Sequence, residues 1–215
     1  MVKVQGEVYY DDYNKEDILI FWRKNLLRGA PEPTSRPLVI KQVPASYNIY
    51  IPKTVKSFYI CARGNIVKGK IKNNSTAYFI SDLITIDPKK DKIFIDIPLK
   101  KRTMVMNNYQ GRVVKISGKI AQQKYKKGFI SIAVETPENH KKVFLPPDIA
   151  QKFIAGPVDY TIDVPEGVGE VYINALHYPN ENYYGDMPGV LSAAYINNPV
   201  KVGSSDIYGV DIIIE

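Results

Sequence analysis

The stretch Gly111–Ile120 reads GRVVKISGKI, and it combines β-branched residues with regularly spaced basic ones. A shorter version of this pattern, GNIVKGKI, occupies Gly64–Ile71. Val and Ile favour strands, so each stretch predicts a strand that carries basic side chains. Two such similar strands suggest that part of the chain is duplicated.

The similarity continues downstream of both stretches at an offset of 49 or 50 residues. Phe79–Ser81 and Phe129–Ser131 both read FIS, and an apolar triplet follows each of them. We therefore predict that Gly69–Ile95 and Gly118–Leu145 follow the same path of strand, loop, strand, turn and strand. Chance resemblance between β-rich segments is the alternative, and a fourfold repeat stays open.

Short runs rich in Ile, Val, Tyr and Phe, separated by Gly, Pro and Asn, recur along the chain and predict strands. They are Val2–Tyr10, Ser46–Ile51, Ala77–Ile86, Lys92–Ile97, Gly128–Val134, Tyr160–Val164, Val171–Leu176 and Tyr208–Ile214. The sequence therefore predicts an all-β fold with at least eight strands. Such a fold closes as a sandwich or barrel, either jelly-roll-like or built from two small related β modules.

Two stretches predict short helices within this all-β fold. Lys15–Arg28 places Ile18, Trp22 and Leu26 four residues apart, on one face of a helix, although its apolar centre ILIFW suits a strand equally well. Asp148–Ala155 follows two prolines and precedes a glycine, which predicts a helix of two turns.

The polar segment Asn107–Gly111 is the best candidate for a domain boundary. It divides the chain into an N-terminal β module, residues 1–110, and a C-terminal β module, residues 111–215. A single β domain is the alternative.

Charge is distributed unevenly along the chain, whose formal net charge is +7. Residues 1–62 carry 9 basic and 6 acidic side chains, residues 63–142 carry 18 and 6, and residues 143–215 carry 2 and 10. A basic middle followed by an acidic end indicates a partner. Either a basic face contacts nucleic acid, or complementary faces meet between copies of the protein.

The basic residues cluster in and after the two similar stretches, where alternate residues of a strand share one face. A row of ammonium groups attracts phosphates, and a Tyr ring can stack on a base. The residues predicted to bind nucleic acid or an acidic partner are Lys68, Lys70, Lys72, Arg112, Lys115, Lys119, Lys124, Tyr125, Lys126 and Lys127.

Acidic residues and a Tyr-rich loop form a second predicted surface. Tyr presents a large and fairly rigid contact area with a polar tip, which suits protein recognition. The predicted protein–protein contact residues are Asp159, Asp163, Glu166, Glu170, Tyr183 and Tyr184. Because the acidic residues and the lysines occupy separate strands, we expect the basic and acidic surfaces to lie on different faces.

The segment from Arg112 to Leu176 runs as strand, basic loop, strand, strand, short helix, strand and strand. This order loosely resembles the five-stranded OB fold. The resemblance covers 65 residues and includes no diagnostic motif. It implies contact with nucleic acid through the basic strands.

Sequence motifs of catalysis are absent. The chain has no nucleophile elbow, Walker loop or dinucleotide-binding fingerprint, and neither His140 nor His177 has a His or Cys at metal-ligand spacing. Cys61, the one cysteine, lies in an apolar run that predicts a core position. We therefore predict no metal, no cofactor and no enzymatic activity, although a site built from dispersed carboxylates would escape sequence reasoning.

The sequence therefore predicts a non-enzymatic structural or assembly protein, a subunit of a larger particle or filament such as a viral capsid, tail or surface array. Its partners would be copies of itself or other structural subunits. The alternative is a nucleic-acid-binding protein with OB-like β modules. No run is apolar enough for a membrane span, and the N-terminal residues lack the order of a signal peptide, which predicts cytoplasmic synthesis and, for a capsid protein, a place in the virion.

Overall fold

A computed structural model describes residues 1–11, 17–26, 37–64, 76–123, 125, 127–142, 145, 147–179 and 190–215. These residues form two compact units: within the described ranges, the first contains residues 1–64, 76–102, 142 and 145, and the second contains residues 103–141 and 147–215. The predicted bounds of 1–110 and 111–215 stay a prediction, because compactness alone does not establish that each unit folds independently.

The first unit is a sandwich of two sheets. Its described strands are β1 (Val2–Tyr9), β2 (Ile18–Arg23), β3 (Leu38–Ile40), β4 (Ala45–Ile51), β5 (Ser57–Gly64), β6 (Thr76–Ile80), β7 (Ile84–Thr85), β8 (Lys92–Phe94), β9 (Ile97–Pro98) and β10 (Lys100–Arg102). The small sheet has the order β4-β1-β8, and β9 also pairs with β1. The large sheet has the order β10-β6-β5-β2-β3, with β7 paired to β5.

The second unit is also a two-sheet sandwich. Its described elements are β11 (Val113–Gln122), β12 (Phe129–Glu135), α1 (Pro137–His140), β13 (Ala150–Ile154), β14 (Asp159–Pro165), β15 (Gly169–Tyr178), β16 (Leu191–Ala194), β17 (Val200–Val202) and β18 (Ile212–Ile214). Its small sheet has the order β14-β11-β18, and its large sheet has the order β13-β12-β15-β16 with β17 paired to β15.

The alternation of buried and exposed side chains along the strands explains why the sheets pack in pairs. In β1 the side chains of Val2, Val4 and Val8 are buried, while the intervening residues face outwards. Val114 and Ile116 have the same role in β11. A strand with one apolar face must cover that face with a second sheet, so each unit has its own hydrophobic core. The prediction of an all-β sandwich with few helical residues is confirmed.

The two units share one strand plan. β2 pairs with β3 and β5, and β5 pairs with β6 and β7; likewise β12 pairs with β13 and β15, and β15 pairs with β16 and β17. In the small sheets, β1 lies antiparallel to β4 and parallel to β8 and β9, as β11 lies antiparallel to β14 and parallel to β18. The sequence retains this duplication, because Tyr47–Ala62 and Tyr160–Ala175 share seven identical residues at an offset of 113.

The shorter offset of 49 or 50 residues is therefore not a structural repeat, and the prediction of a shared path for Gly69–Ile95 and Gly118–Leu145 is wrong for their described parts. The first FIS motif lies at the end of β6, beside β5, whereas the second lies in β12, between β13 and β15. The strand that corresponds to β12 is β2. Runs of Ile, Val and Phe reflect burial in any strand, so similar letters do not establish equivalent positions.

Both helix predictions are also wrong for the described residues. Ile18–Arg23 forms β2, and Ala150–Ile154 forms β13. Ile18 and Trp22 are four residues apart, which places them on one face of a helix but equally on one face of a strand. Pairing of β2 between β3 and β5 decides in favour of the strand. The OB resemblance fails as well, because β11 and β12 belong to different sheets.

A glycine in each small sheet permits a close approach between backbones. Gly6 in β1 lies opposite Tyr47, and a Cβ atom added to it would meet the carbonyl oxygen of Ile95 at 2.0 Å. Gly118 in β11 lies opposite Tyr160, and its added Cβ atom would meet the carbonyl oxygen of Val210 at 2.0 Å. Backbone atoms cannot move aside as a flexible side chain does, so only glycine fits either position.

We predict that Gly6→Ala and Gly118→Ala each lower the free energy of unfolding by about 1–3 kcal/mol, the usual cost of overpacking. Gly203→Ala is the matched control, since a Cβ atom there has open space around it. Urea unfolding followed by circular dichroism measures all three. Equal stabilities of Gly118→Ala and Gly203→Ala would contradict the close approach.

Candidate functional site

The close approach belongs to a motif that occurs once in each unit, which we call the glycine–tyrosine–aspartate motif. In the first unit it consists of Gly6, Tyr47 and Asp96: the Tyr47 hydroxyl donates to the carbonyl of Ile95 (2.7 Å), and a carboxylate oxygen of Asp96 accepts from the amide of Glu7 (3.0 Å). These bonds join three segments that are far apart in the sequence.

The second unit repeats the motif with Gly118, Tyr160 and Asp211. The Tyr160 hydroxyl donates to the carbonyl of Val210 (2.6 Å), and the Asp211 carboxylate accepts from the amide of Lys119 (2.8 Å). The same atoms therefore make the same two hydrogen bonds in both units. In each unit the motif fixes the segment that runs parallel to the first strand of the small sheet.

Burial changes the acidity of both tyrosines. Desolvation raises the pKa of Tyr47 well above its usual value, and the negative charge of Asp96 raises it further. The pKa of Tyr160 is also raised well above its usual value, first by desolvation and then by Asp211. The neutral phenol is thus the form that the folded protein stabilises.

The segment fixed by the motif exposes an aromatic ring in each unit. In β8, Ile93 points into the core and the side chain of Phe94 is 72% exposed. In the second unit, Ile207 bridges to Ile116 and packs against the core, while the next residue, Tyr208, is 74% exposed. Since Val4 pairs with Ile93 as Ile116 pairs with Ile207, each aromatic residue follows an equivalent core residue. The second unit has one more residue here, Gly209 with a φ of 74°, before Val210, whose carbonyl corresponds to that of Ile95.

We define outer face 1 as the solvent side of the sheet β4-β1-β8. Phe94 lies opposite Gln5, and the neighbouring row of side chains contains Lys92, Lys3 and Tyr50. Tyr50 is 58% exposed and Tyr9, at the end of β1, is 43% exposed, so this face carries three aromatic rings and two ammonium groups. Its described residues are Lys3, Gln5, Glu7, Tyr9, Ser46, Asn48, Tyr50, Lys92 and Phe94.

We define outer face 2 as the solvent side of the sheet β14-β11-β18, with the preceding segment that contains Tyr208. Its described residues are Lys115, Ser117, Lys119, Ala121, Asp159, Thr161, Asp163, Asp206, Tyr208 and Ile213. Its apolar members Tyr208 and Ile213 lie on one side, where Ile213 is 62% exposed. Carboxylates outnumber ammonium groups on this face.

The predicted basic and acidic residues on these strands lie on one face. Lys115 is directly opposite Asp163, and Lys119 is directly opposite Asp159, because β11 and β14 are antiparallel neighbours. Directly opposite residues point to the same side of a sheet, so the expectation of separate faces is wrong for these four residues. A carboxylate oxygen of Asp206 also accepts from the amide of Lys115 (2.9 Å).

Three further predicted binding residues have described surroundings. Arg112 lies 3.4 Å from Glu166 in an ion pair at the end of β11. The hydroxyl oxygen of Tyr125 is 2.6 Å from the carbonyl of Ala155, and its ring packs against His177. Lys127 is exposed, as is the predicted contact residue Glu170. The predicted residues Lys68, Lys70, Lys72, Lys124, Lys126, Tyr183 and Tyr184 lie outside the described residues, and all these binding roles stay predictions.

A polar cluster lies beside α1. Glu135, which is 4% exposed, accepts from the side-chain amide of Asn174 (3.0 Å) and lies 3.3 Å from Nδ1 of His140. The His140 ring stacks on Tyr172 with centroids 4.1 Å apart, and the hydroxyl of Thr136 donates to Asp148 (2.5 Å). These bonds tie α1 to β12 and β15, which accounts for the cluster structurally.

Other chemically reactive groups are also engaged in packing. His177 is 5% exposed, with one ring nitrogen 2.9 Å from Gln122 and the other 2.9 Å from the carbonyl of Lys127. Cys61 is buried as expected, and burial raises the pKa of its thiol to about 12. The described residues include no group of three or more His, Cys, Asp or Glu that could hold a metal ion. In the described part of the chain, no helix has the length and hydropathy of a membrane span.

Sequence reasoning missed Phe94 and Tyr208 as exposed aromatic residues. In the letters KIF and IYG they read as ordinary strand positions, and only the pairing of their neighbours reveals that they face solvent. The offset of 113 was the available signal, because it identifies the two small sheets as equivalent and invites a comparison of their outer faces.

We predict that the stability of the folded chain falls as the pH rises above about 10, where an unfolded tyrosine loses its proton. The raised pKa values of Tyr47 and Tyr160 mean that the folded state keeps these protons, so deprotonation favours unfolding. The double variant Tyr47→Phe/Tyr160→Phe should lose less stability than the parent as the pH rises. At neutral pH, each substitution should lower the free energy of unfolding by about 1 kcal/mol, because it removes one buried hydrogen bond. Urea unfolding at a series of pH values measures both effects; an unchanged pH dependence would contradict the buried hydroxyls.

No known protein family matches the chain, and no curated protein matches it in sequence. Among solved structures, it is similar to the fimbrial anchor protein Mfa2 from Porphyromonas gingivalis, with 10% identity, a TM-score of 0.34 and coverage of 99% of this chain and 95% of that one. It is also similar to the shaft pilin spaA from Lactobacillus rhamnosus GG, with 8% identity, a TM-score of 0.23 and coverage of 99% and 96%. TM-scores this low do not establish a shared fold.

Proposed function

We propose that the protein is a non-enzymatic structural subunit that assembles with copies of itself into a filament. The observation that carries this proposal is the pair of aromatic side chains, Phe94 and Tyr208, that the two units expose directly after equivalent core residues. Each lies in a segment whose backbone the glycine–tyrosine–aspartate motif fixes.

An exposed aromatic ring is the kind of group on which protein contacts depend. Burial of an aromatic ring in an interface contributes more than most contacts, and a backbone that is already held loses little conformational entropy on binding. Each outer face carries further exposed hydrophobic side chains, among them Tyr50 on outer face 1 and Ile213 on outer face 2. Two such surfaces on one chain suit a subunit that contacts two neighbours.

Charge supports contact between unlike units. Within the described residues, the first unit carries 14 basic and 7 acidic side chains, a net charge of +7, whereas the second unit carries 7 and 10, a net charge of −3. Copies that meet through unlike units attract each other, which steers their encounter and fixes their orientation.

The alternative of nucleic-acid binding gains no comparable support from the described residues. Lys115 and Lys119 each have a carboxylate directly opposite, and Arg112 is paired with Glu166. Carboxylates beside a row of lysines repel the phosphates that the lysines attract. The finer expectation of a viral capsid, tail or surface array stays a prediction.

We predict that the purified chain assembles as its concentration rises, and that Phe94→Ser/Tyr208→Ser raises the apparent dissociation constant roughly tenfold or more, the effect of losing interface hot spots. Sedimentation velocity and negative-stain electron microscopy measure the assembly. Both substituted residues are exposed, so the thermal midpoint should stay that of the parent.

The control is Leu83→Ser/Ile196→Ser, which removes one exposed aliphatic side chain from each unit, away from outer faces 1 and 2. This variant should assemble as the parent does. A parent chain that stays monomeric at every concentration would refute the proposed function, and so would an aromatic double variant that assembles as well as the parent.

A further inference from the structure

We propose that the contact between subunits is head to tail: outer face 1 of one copy docks on outer face 2 of the next. This inference rests on the proposed function and specifies which surfaces meet. The partner is a second copy of the same chain, and the interface contains Phe94 of one copy and Tyr208 of the other.

Charge decides between contacts of like faces and contacts of unlike faces. If two copies of outer face 2 met, each copy would contribute three carboxylates, from Asp159, Asp163 and Asp206. Each copy would contribute only two ammonium groups, from Lys115 and Lys119. Two copies of outer face 1 would bring together two first units, whose described residues carry a net charge of +7 each. Both arrangements are repulsive, whereas the contact of unlike faces joins a basic unit to an acidic one.

The charged side chains beside the aromatic rings also favour contact between unlike faces. On outer face 1, the row next to Phe94 contains Lys3 and Lys92 and has no carboxylate at its paired positions. On outer face 2, the corresponding row places Asp163 and Asp206 on the two sides of Lys115. The ammonium groups of outer face 1 can therefore pair with the carboxylates of outer face 2. Because exposed ion pairs contribute little affinity, most of it comes from apolar contacts of the aromatic rings.

Equivalence of the two units explains how one chain acquires both halves of the contact. The same strand plan places an exposed ring directly after an equivalent core residue in each unit, and the surrounding charges differ, as at Lys92 and Asp206. Because every copy carries both faces, the contact can repeat from copy to copy. A heterologous contact of this kind builds a ring or an open filament.

Mixing two single variants tests the direction of the contact. Phe94→Ser disables outer face 1 and Tyr208→Ser disables outer face 2, so each variant alone should stay monomeric at concentrations where the parent assembles. In an equal mixture, the intact face 1 of Tyr208→Ser should bind the intact face 2 of Phe94→Ser. Sedimentation velocity should then record dimers of one copy of each variant, with no larger species.

Two results would overturn the inference while leaving the proposed function intact. Dimers formed by Tyr208→Ser alone, or by Phe94→Ser alone, would mean that like faces meet. Parent-like assembly of either single variant would mean that its ring lies outside the contact. A parent chain that does not assemble would refute the proposed function itself, so the two failures are distinguishable.

Charge reversal provides an independent test. Lys3→Glu/Lys92→Glu should weaken assembly roughly tenfold or more, a sum over several charged pairs, and mixing with Asp159→Lys/Asp163→Lys should restore binding between the two variants. Lys89→Glu/Lys90→Glu is the matched control, because it makes the same change of charge at exposed positions off the face. Equal loss of assembly in the control, or no restoration in the mixture, would contradict docking of unlike faces.

Discussion

The approach of two backbones at Gly6 and again at Gly118 is the constraint on which the rest of the structure depends. A carbonyl oxygen occupies the space that a side chain would need, and a buried tyrosine donates to that same carbonyl. The glycine makes room, the tyrosine holds the carbonyl and the aspartate holds the neighbouring amide. Together they place a final strand beside the first one, complete each small sheet and bury Ile97 and Ile212 in the two cores.

The strand fixed in this way also determines what each unit presents to solvent. Ile93 packs against the first core and the next residue, Phe94, is exposed; likewise Ile207 packs against the second core and the next residue, Tyr208, is exposed. Packing on the inner side therefore sets the position of a ring on the outer side. The small sheets of the two units have the same strand arrangement but different charges around the exposed ring. The duplicated arrangement therefore provides two surfaces of different electrostatic character.

Local alternation was enough to predict the fold class, because residues such as Val2, Val4 and Val8 alternate with polar ones and alternation of this kind is a direct consequence of the pleat. It was not enough to separate helix from strand at Ile18, where a spacing of four residues fits both. The glycine–tyrosine–aspartate motif was beyond such reasoning, since Gly6, Tyr47 and Asp96 come together only through strand pairing. The sequence shows that lysines cluster in the segment that forms β11 and aspartates in the segment that forms β14. It does not show the register between these strands, which places the lysines directly opposite the aspartates.

The central claim, that the small sheet of one unit meets the small sheet of the other unit between copies, is tested most directly by disulfide cross-linking of Gln5→Cys/Ser117→Cys, which places one cysteine at the centre of each outer face and leaves Phe94 and Tyr208 in place. Cys61 can stay in place, because burial raises the pKa of its thiol to about 12 and keeps it protonated. Under mild oxidation of the assembled protein, the double variant should give a ladder of covalent multimers on a non-reducing gel, while neither single variant does. Covalent dimers of Gln5→Cys alone, or an assembled double variant that forms no disulfide between copies, would contradict the account.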